Sequence, residues 1–140
     1  MESIKINDIL VCEDIRTEIG GKHTIVGLVS ELNATIPVDI KGNVNVPLSF
    51  MLRFSNLKND LKLKYFTVII YSEGKEIVKR KITLKEGKEI QRHFNIALVK
   101  ENIIIPDSTE LGFSIYVTDM RDKEHEIKTD YKFKINLNRK

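Results

Sequence analysis

The feature that most constrains the fold is a pair of β-prone segments separated by two consecutive glycines. One apolar run, 9–12, precedes Gly20-Gly21, and a second run, 23–29, follows it. Glycine adopts positive φ without steric cost, as a tight turn between antiparallel strands requires. The pattern therefore predicts a β-hairpin over residues 4–30. We expect its second strand to reach Ile36, where pairing ends because Pro37 lacks a backbone N–H.

Later segments alternate apolar and polar residues with a period of two, which is typical of strands that bury one face. A second hairpin is predicted from strand 61–71, a turn at 72–75 and strand 76–84. The remaining residues expected to face the core are Leu48, Phe50, Leu52 and Phe54, then Ile90, Phe94, Ile96 and Leu98, then Leu111, Phe113, Ile115 and Val117, and finally Ile127, Thr129, Tyr131, Phe133, Ile135 and Leu137.

About eight strands at this spacing, with no convincing helical pattern, predict an all-β fold. We expect an antiparallel β-sandwich of immunoglobulin-like or C2-like type. At 140 residues, one domain over 1–140 is expected. Residues 103–106, three consecutive isoleucines and Pro106, are predicted to close one end of the core as a short apolar plug.

Composition indicates a globular protein in a reducing compartment. Hydrophobic residues make up 41% of the chain and charged residues 31%. Cys12 is the only cysteine, which excludes an internal disulfide. No secretory signal is visible, and no apolar run approaches the roughly 20 residues of a membrane-spanning helix. We therefore expect a cytoplasmic protein without a membrane partner.

The second hairpin carries the strongest functional indication. If Tyr71 opposes Glu76, one face holds Leu63, Tyr65, Thr67, Ile69 and Tyr71 and is predicted to be core. The opposite face then combines lysines with an apolar stripe of Phe66, Val68 and Ile70. Because apolar residues on an outer face need a cover, we expect a loop, a terminal strand or another subunit to lie on this stripe, and we favour an interface with a second copy of the chain.

The candidate ligand-binding residues are basic, and they are Lys62, Lys64, Lys79 and Lys81, with His93 on the next strand. The segment 53–92 has a net charge of +6, whereas the rest of the chain carries −3. Such a face fits an acidic protein surface or a small anionic ligand. Nucleic acid is disfavoured, because aromatic stacking groups are scarce and the net charge is only +3. The alternative role of these lysines is edge protection and solubility.

Other polar groups indicate structure rather than catalysis. Asp14, Arg16 and Glu18 alternate before the glycine pair, and we interpret them as a structural ion cluster, with an ionic ligand site as the alternative. Cys12 lies in an apolar strand, where a thiol is inert. The spacing of the three histidines matches no metal site. We therefore assign no catalytic residues, no metal and no cofactor.

The run Cys12-Glu13-Asp14-Ile15-Arg16-Thr17-Glu18-Ile19-Gly20-Gly21-Lys22, closing with Gly27, resembles the opening of a family of small bacterial and phage proteins. That family is known only as a domain of unknown function. The resemblance implies a β-sandwich and a bacterial or phage setting, and it carries no activity or catalytic residues.

Together these patterns favour a non-enzymatic binding or assembly module that forms homo-oligomers. The first alternative is a protein that sequesters a small anionic or nucleotide signal, in the phage–bacterial immune conflict that the resemblance suggests. The second alternative is a metal-dependent hydrolase, which the ligand spacing supports least.

Overall fold

The computed structural model describes residues 3–18, 22–58, 62–84 and 92–140. These residues form ten β-strands and no helix, which confirms the all-β prediction. Gly20-Gly21, Leu61 and Ile90 lie outside the described residues. The strands are β1 (Ile4–Thr17), β2 (His23–Val29), β3 (Leu32–Ile36), β4 (Val44–Asn56), β5 (Leu63–Ser72), β6 (Lys75–Thr83), β7 (His93–Ile105), β8 (Thr109–Asp119), β9 (Glu124–Ile127) and β10 (Lys132–Arg139).

The strands form two sheets packed face to face, which confirms the β-sandwich. The four-stranded sheet has the order β2-β1-β4-β7, and the six-stranded sheet has the order β3-β10-β8-β5-β6, with β9 also paired to β8. Strands β3 and β10 run parallel, whereas the other pairs are antiparallel. The main core lies between the sheets, and most predicted core positions contribute to it: Leu48, Phe50, Leu52, Phe54, Phe94, Ile96, Leu98, Leu111, Phe113, Ile115, Val117, Ile127, Tyr131, Phe133, Ile135 and Leu137.

The strand count exceeds the prediction because two expected strands are each divided. The first hairpin is confirmed, but β2 ends at Val29, and the chain bends at Ser30 and crosses to the other sheet. There β3 pairs in parallel with β10. The predicted final strand is interrupted at 128–131, so that β9 and β10 pair with successive parts of the same strand, β8.

The predicted plug at 103–106 is wrong, because residues 103–105 continue β7. They pair with the start of β4, with Ile103 opposite Val46 and Ile105 opposite Val44. Ile103 and Ile105 are buried, whereas Ile104 between them is 51% exposed. The isoleucines therefore alternate as in any strand with one buried face.

The β5–β6 hairpin has an irregular register. Tyr71 opposes Glu76 as expected, but a β-bulge follows, and Ile70 then opposes Val78. Val78 is buried in the core. A shift of one residue in the register exchanges the two faces of a strand. The bulge therefore places the even-numbered residues of β5 on the same face as Val78, towards the core.

The predicted interface of Phe66, Val68 and Ile70 is therefore wrong. All three side chains are 0% exposed and belong to the main core. The ring centroid of Phe66 lies 5.5 Å from that of Phe54 and 5.6 Å from that of Phe94, both on the four-stranded sheet. The partner sheet, not a second copy of the chain, covers this stripe.

Candidate functional site

The outer face of β5 and β6 is the surface that faces away from the core. On β5 it carries Tyr65 and Thr67, so their predicted position in the core is wrong. Thr67 lies opposite Lys81, and Ile69 lies opposite Lys79. Directly paired residues project to the same side of a sheet, so the lysines share this face with aromatic and hydroxyl side chains.

A groove opens at one end of this face, with a volume of about 250 Å³. We call it the Lys64–Lys81 groove, and it is lined by Leu63, Lys64, Tyr65, Lys81, Thr83, Leu84 and Met120. Its lining thus combines two ammonium groups with a phenol ring and three apolar side chains. Such a lining can accept an anion that also has an apolar or planar part.

Each lysine of the groove already has a partner. Lys81 Nζ lies 3.9 Å from the centroid of the Tyr65 ring, within the range of a cation–π contact. Lys64 Nζ lies 2.6 Å from Oδ1 of Asp122, and this hydrogen bond raises the pKa of Lys64. These contacts direct both ammonium groups without enclosing them, since both side chains remain at least partly exposed.

The β8–β9 turn supplies the far wall of the groove, and Asp119 holds this turn in place. Its Oδ1 accepts hydrogen bonds from the backbone N–H groups of Arg121 and Lys123, at 2.9 and 3.0 Å. Its Oδ2 lies 2.8 Å from Nε2 of His125. The His125 hydrogen bond, followed by those from the backbone, lowers the pKa of Asp119 to about 2. The fixed turn presents Met120, 49% exposed, to the groove.

The structure brings together only part of the predicted basic site. Lys64 and Lys81 line the groove, and Lys79 is exposed further along β6 on the same face. Lys62 is exposed before β5 begins and does not line the groove. His93 lies on the other sheet, where its Nδ1 is 3.3 Å from Ser55 Oγ.

The predicted ion cluster is only partly assembled. Arg16 Nε lies 3.8 Å from Oδ2 of Asp14, and Lys100 Nζ of β7 lies at the same distance from that oxygen. Glu18 is exposed, and its backbone N–H donates to the carbonyl oxygen of Lys22 across the hairpin end, at 2.6 Å. Asp14 thus bridges β1 to β7, whereas the Glu18 contact closes the hairpin.

Cys12 is buried in a second, smaller apolar cluster with Ile15 and Met51, on the four-stranded sheet. Burial, with a smaller contribution from the Asp14 charge, raises the pKa of its thiol. A buried thiol of raised pKa is a poor nucleophile, as the sequence predicts. Among the described residues, no group of three or more His, Cys, Asp or Glu side chains is arranged to hold a metal ion.

Three residues of the site are not predicted by the sequence, and they are Tyr65, Met120 and Asp122. The alternation of Tyr65 with Thr67 could have indicated a half-exposed face, since tyrosine and threonine are both tolerated on such a face of a sheet. Met120 and Asp122 come from the turn after β8, which approaches β5 only because the two strands pair. A single sequence contains no local signal for that pairing.

No protein-family model matches the chain, and no curated protein shows significant sequence similarity to it. No helix among the described residues is long and apolar enough to cross a membrane.

Proposed function

We propose that the chain is a non-enzymatic binding module that holds a small anionic ligand in the Lys64–Lys81 groove. The observation that carries this proposal is that two lysines and a tyrosine ring line one depression with apolar walls. Ammonium groups form charge-assisted hydrogen bonds with phosphate or carboxylate oxygens. Tyr65 and Met120 offer an apolar surface to a planar group on the same ligand. A nucleoside monophosphate combines both features.

The two lysines are available to such a ligand. The side chain of Asp122, the partner of Lys64, is 73% exposed. Exposed ion pairs contribute little to stability, so a ligand anion can replace Asp122 at small cost. Lys79 lies on the same face and adds positive potential that attracts anions from solution.

The surroundings of the groove favour binding without chemical conversion. The buried Cys12 belongs to the other sheet, and so does the contact between Ser55 and His93. Neither the Cys12 thiol nor the Ser55 hydroxyl borders the groove. Capture of a small ligand without turnover is the behaviour expected of a sequestering protein.

The proposal is tested by isothermal titration calorimetry with adenosine monophosphate, inorganic phosphate and adenosine. We expect adenosine monophosphate to bind more tightly than either of its parts. The double substitution Lys64→Glu/Lys81→Glu is expected to weaken that binding about tenfold or more, because it places negative charge beside the phosphate.

The matched control is Lys134→Glu, which changes the same charge on an exposed residue of β10 and is expected to leave binding unchanged. The proposal is wrong if none of the three compounds binds. It is also wrong if the double variant and the control bind adenosine monophosphate equally well.

A further inference from the structure

The edge of β1 that faces away from β4 is paired with β2 over only half of its length. Strand β2 pairs with residues 11–17 of β1, whereas β4 pairs with residues 4–12 along the other side. None of the described strands pairs with the β2 side of residues 4–10. The four-stranded sheet therefore ends, over this stretch, in an open strand edge.

Backbone groups along this edge point outward. Just beyond the ends of β1 and β4, the backbone N–H of Leu57 donates to the carbonyl oxygen of Ser3 at 2.8 Å, so these two residues form a hydrogen-bonded pair that continues the ladder. In an antiparallel pair, successive residues alternate between bonding to the partner strand and pointing away from it. Ile4 and Ile6 therefore direct their N–H and C=O groups away from β4, towards the open side.

A continuous groove follows this edge between the two sheets. One wall is β1, and the other is the end of β9 with the segment that joins it to β10. Three successive depressions, of about 830, 260 and 400 Å³, are lined in turn by 4–6 and Leu57 with 126–128, by 6–9 with 128–131, and by 9–11 and 28–30 with Tyr131. Residues 4–9 of β1 thus border open space on this side, and the third depression ends where β2 begins to cover the edge.

When two copies of this edge are related by a two-fold axis, the charges of one copy lie opposite charges of the other sign on the second copy. Lys5 pairs with Ser55, and Asp8 binds Arg53, so both side chains lie on the outer side of the sheet. Because a β-bulge between Ile6 and Asp8 shifts the register of β1 by one residue, two β1 strands can pair antiparallel with Lys5 of one copy opposite Asp8 of the other. Opposite charges in directly paired positions stabilise a sheet.

The same register also matches the apolar residues. It places Ile4 opposite Ile9, and both side chains belong to the main core. We propose that the chain forms a two-fold dimer in which the free edges of β1 pair antiparallel, joining the two four-stranded sheets into one sheet of eight strands. This inference does not depend on the Lys64–Lys81 groove, which lies on other strands.

The first test is the sedimentation of the full chain over a range of concentrations. We expect a dimer whose dissociation constant rises at least several-fold in Lys5→Glu, because the introduced carboxylate then faces that of Asp8 across the axis. Lys134→Glu on β10 is the matched control and leaves the dimer unchanged. A monomer at every concentration, or equal effects of the two substitutions, overturns the proposal.

The second test is disulfide cross-linking close to the axis. Because the one native cysteine is buried, Asn7→Cys introduces an accessible thiol that can meet its symmetry mate. We expect mild oxidation to yield a covalent dimer for Asn7→Cys and not for Asn138→Cys, at the far end of β10. Equal cross-linking of both variants, or none for Asn7→Cys, contradicts the β1 pairing.

Discussion

Arg80 Nε lies 2.8 Å from Oε2 of Glu101, and this ion pair joins the edge strands of the two sheets. Arg80 belongs to β6 and Glu101 to β7, the last strands of their sheets on the same side of the sandwich. Glu101 is only 7% exposed, whereas the Arg80 side chain remains half exposed. Loss of the guanidinium would leave a nearly buried carboxylate without its cation, which is costly.

We therefore expect Arg80→Ala to lower the free energy of unfolding by about 1–3 kcal/mol. Urea denaturation followed by circular dichroism measures the change. Lys79→Ala, on the exposed outer face of the same strand, is the control and should change stability by no more than about 0.5 kcal/mol. Addition of Glu101→Gln to Arg80→Ala should recover part of the loss. Equal effects of the two single alanine substitutions would contradict the structural role of the pair.

Because Phe66 lies in the core and Tyr65 on the outer face, alanine substitutions at these neighbouring residues of β5 should change the free energy of unfolding by different amounts. Phe66→Ala should cost about 3–5 kcal/mol of unfolding free energy, because it opens a cavity among Phe54 and Phe94. Tyr65→Ala, on the outer face, should cost less than half as much. Urea denaturation of the two variants compares them directly, and a larger loss for Tyr65→Ala would show that the faces are exchanged.

Because Asp119 holds the β8–β9 turn as a carboxylate, protonation of this group in acid should lower the stability of the chain. The folded state lowers the pKa of Asp119 from 3.8 to about 2. Because its folded pKa lies below its unfolded pKa, this carboxylate contributes stability that is complete above about pH 4 and lost as the pH falls towards 2. Asp119→Asn should therefore flatten the dependence of stability on pH between 4 and 2. Thermal denaturation over this range tests it, with Asp107→Asn as the exposed control; identical pH profiles for Asp119→Asn and the unmodified chain would refute it.

The backbone conformation and close packing at position 27 of β2 require glycine. Its φ is +69°, and a Cβ atom there would lie 2.7 Å from the side chain of Glu13. Gly27→Ala is expected to destabilise the chain by about 1–3 kcal/mol through backbone strain and this clash. Glu13→Ala should rescue only the part due to the clash, as measured by urea denaturation. A neutral Gly27→Ala would mean that the hairpin rearranges at no cost.

Alternation within single strands was sufficient to predict the class of fold and most of the core. The residues of β8 illustrate this, since Leu111, Phe113, Ile115 and Val117 are buried as the period of two requires. The strand crossing at Ser30 was not predictable in the same way. Nothing in the local pattern distinguishes a strand that continues to Ile36 from one that changes sheets.

The candidate site was harder to predict because one bulge decides which face it occupies. Both faces of β5 carry large side chains, so hydrophobicity does not choose between Tyr65 and Phe66. A single extra residue in β6, between Glu76 and Val78, settles the choice. Lys79 and Lys81 share one outer face, but their neighbours there are Tyr65 and Thr67 rather than the apolar stripe.

The most direct test of ligand binding in the Lys64–Lys81 groove is methyl NMR of chains labelled at methionine. Met120 lines the groove, whereas Met51 is buried on the other sheet and serves as an internal reference. On titration with adenosine monophosphate, we expect the Met120 methyl resonance to shift until the site is saturated, while that of Met51 stays in place. A Met120 resonance that does not move at any concentration of the nucleotide would contradict binding in the Lys64–Lys81 groove.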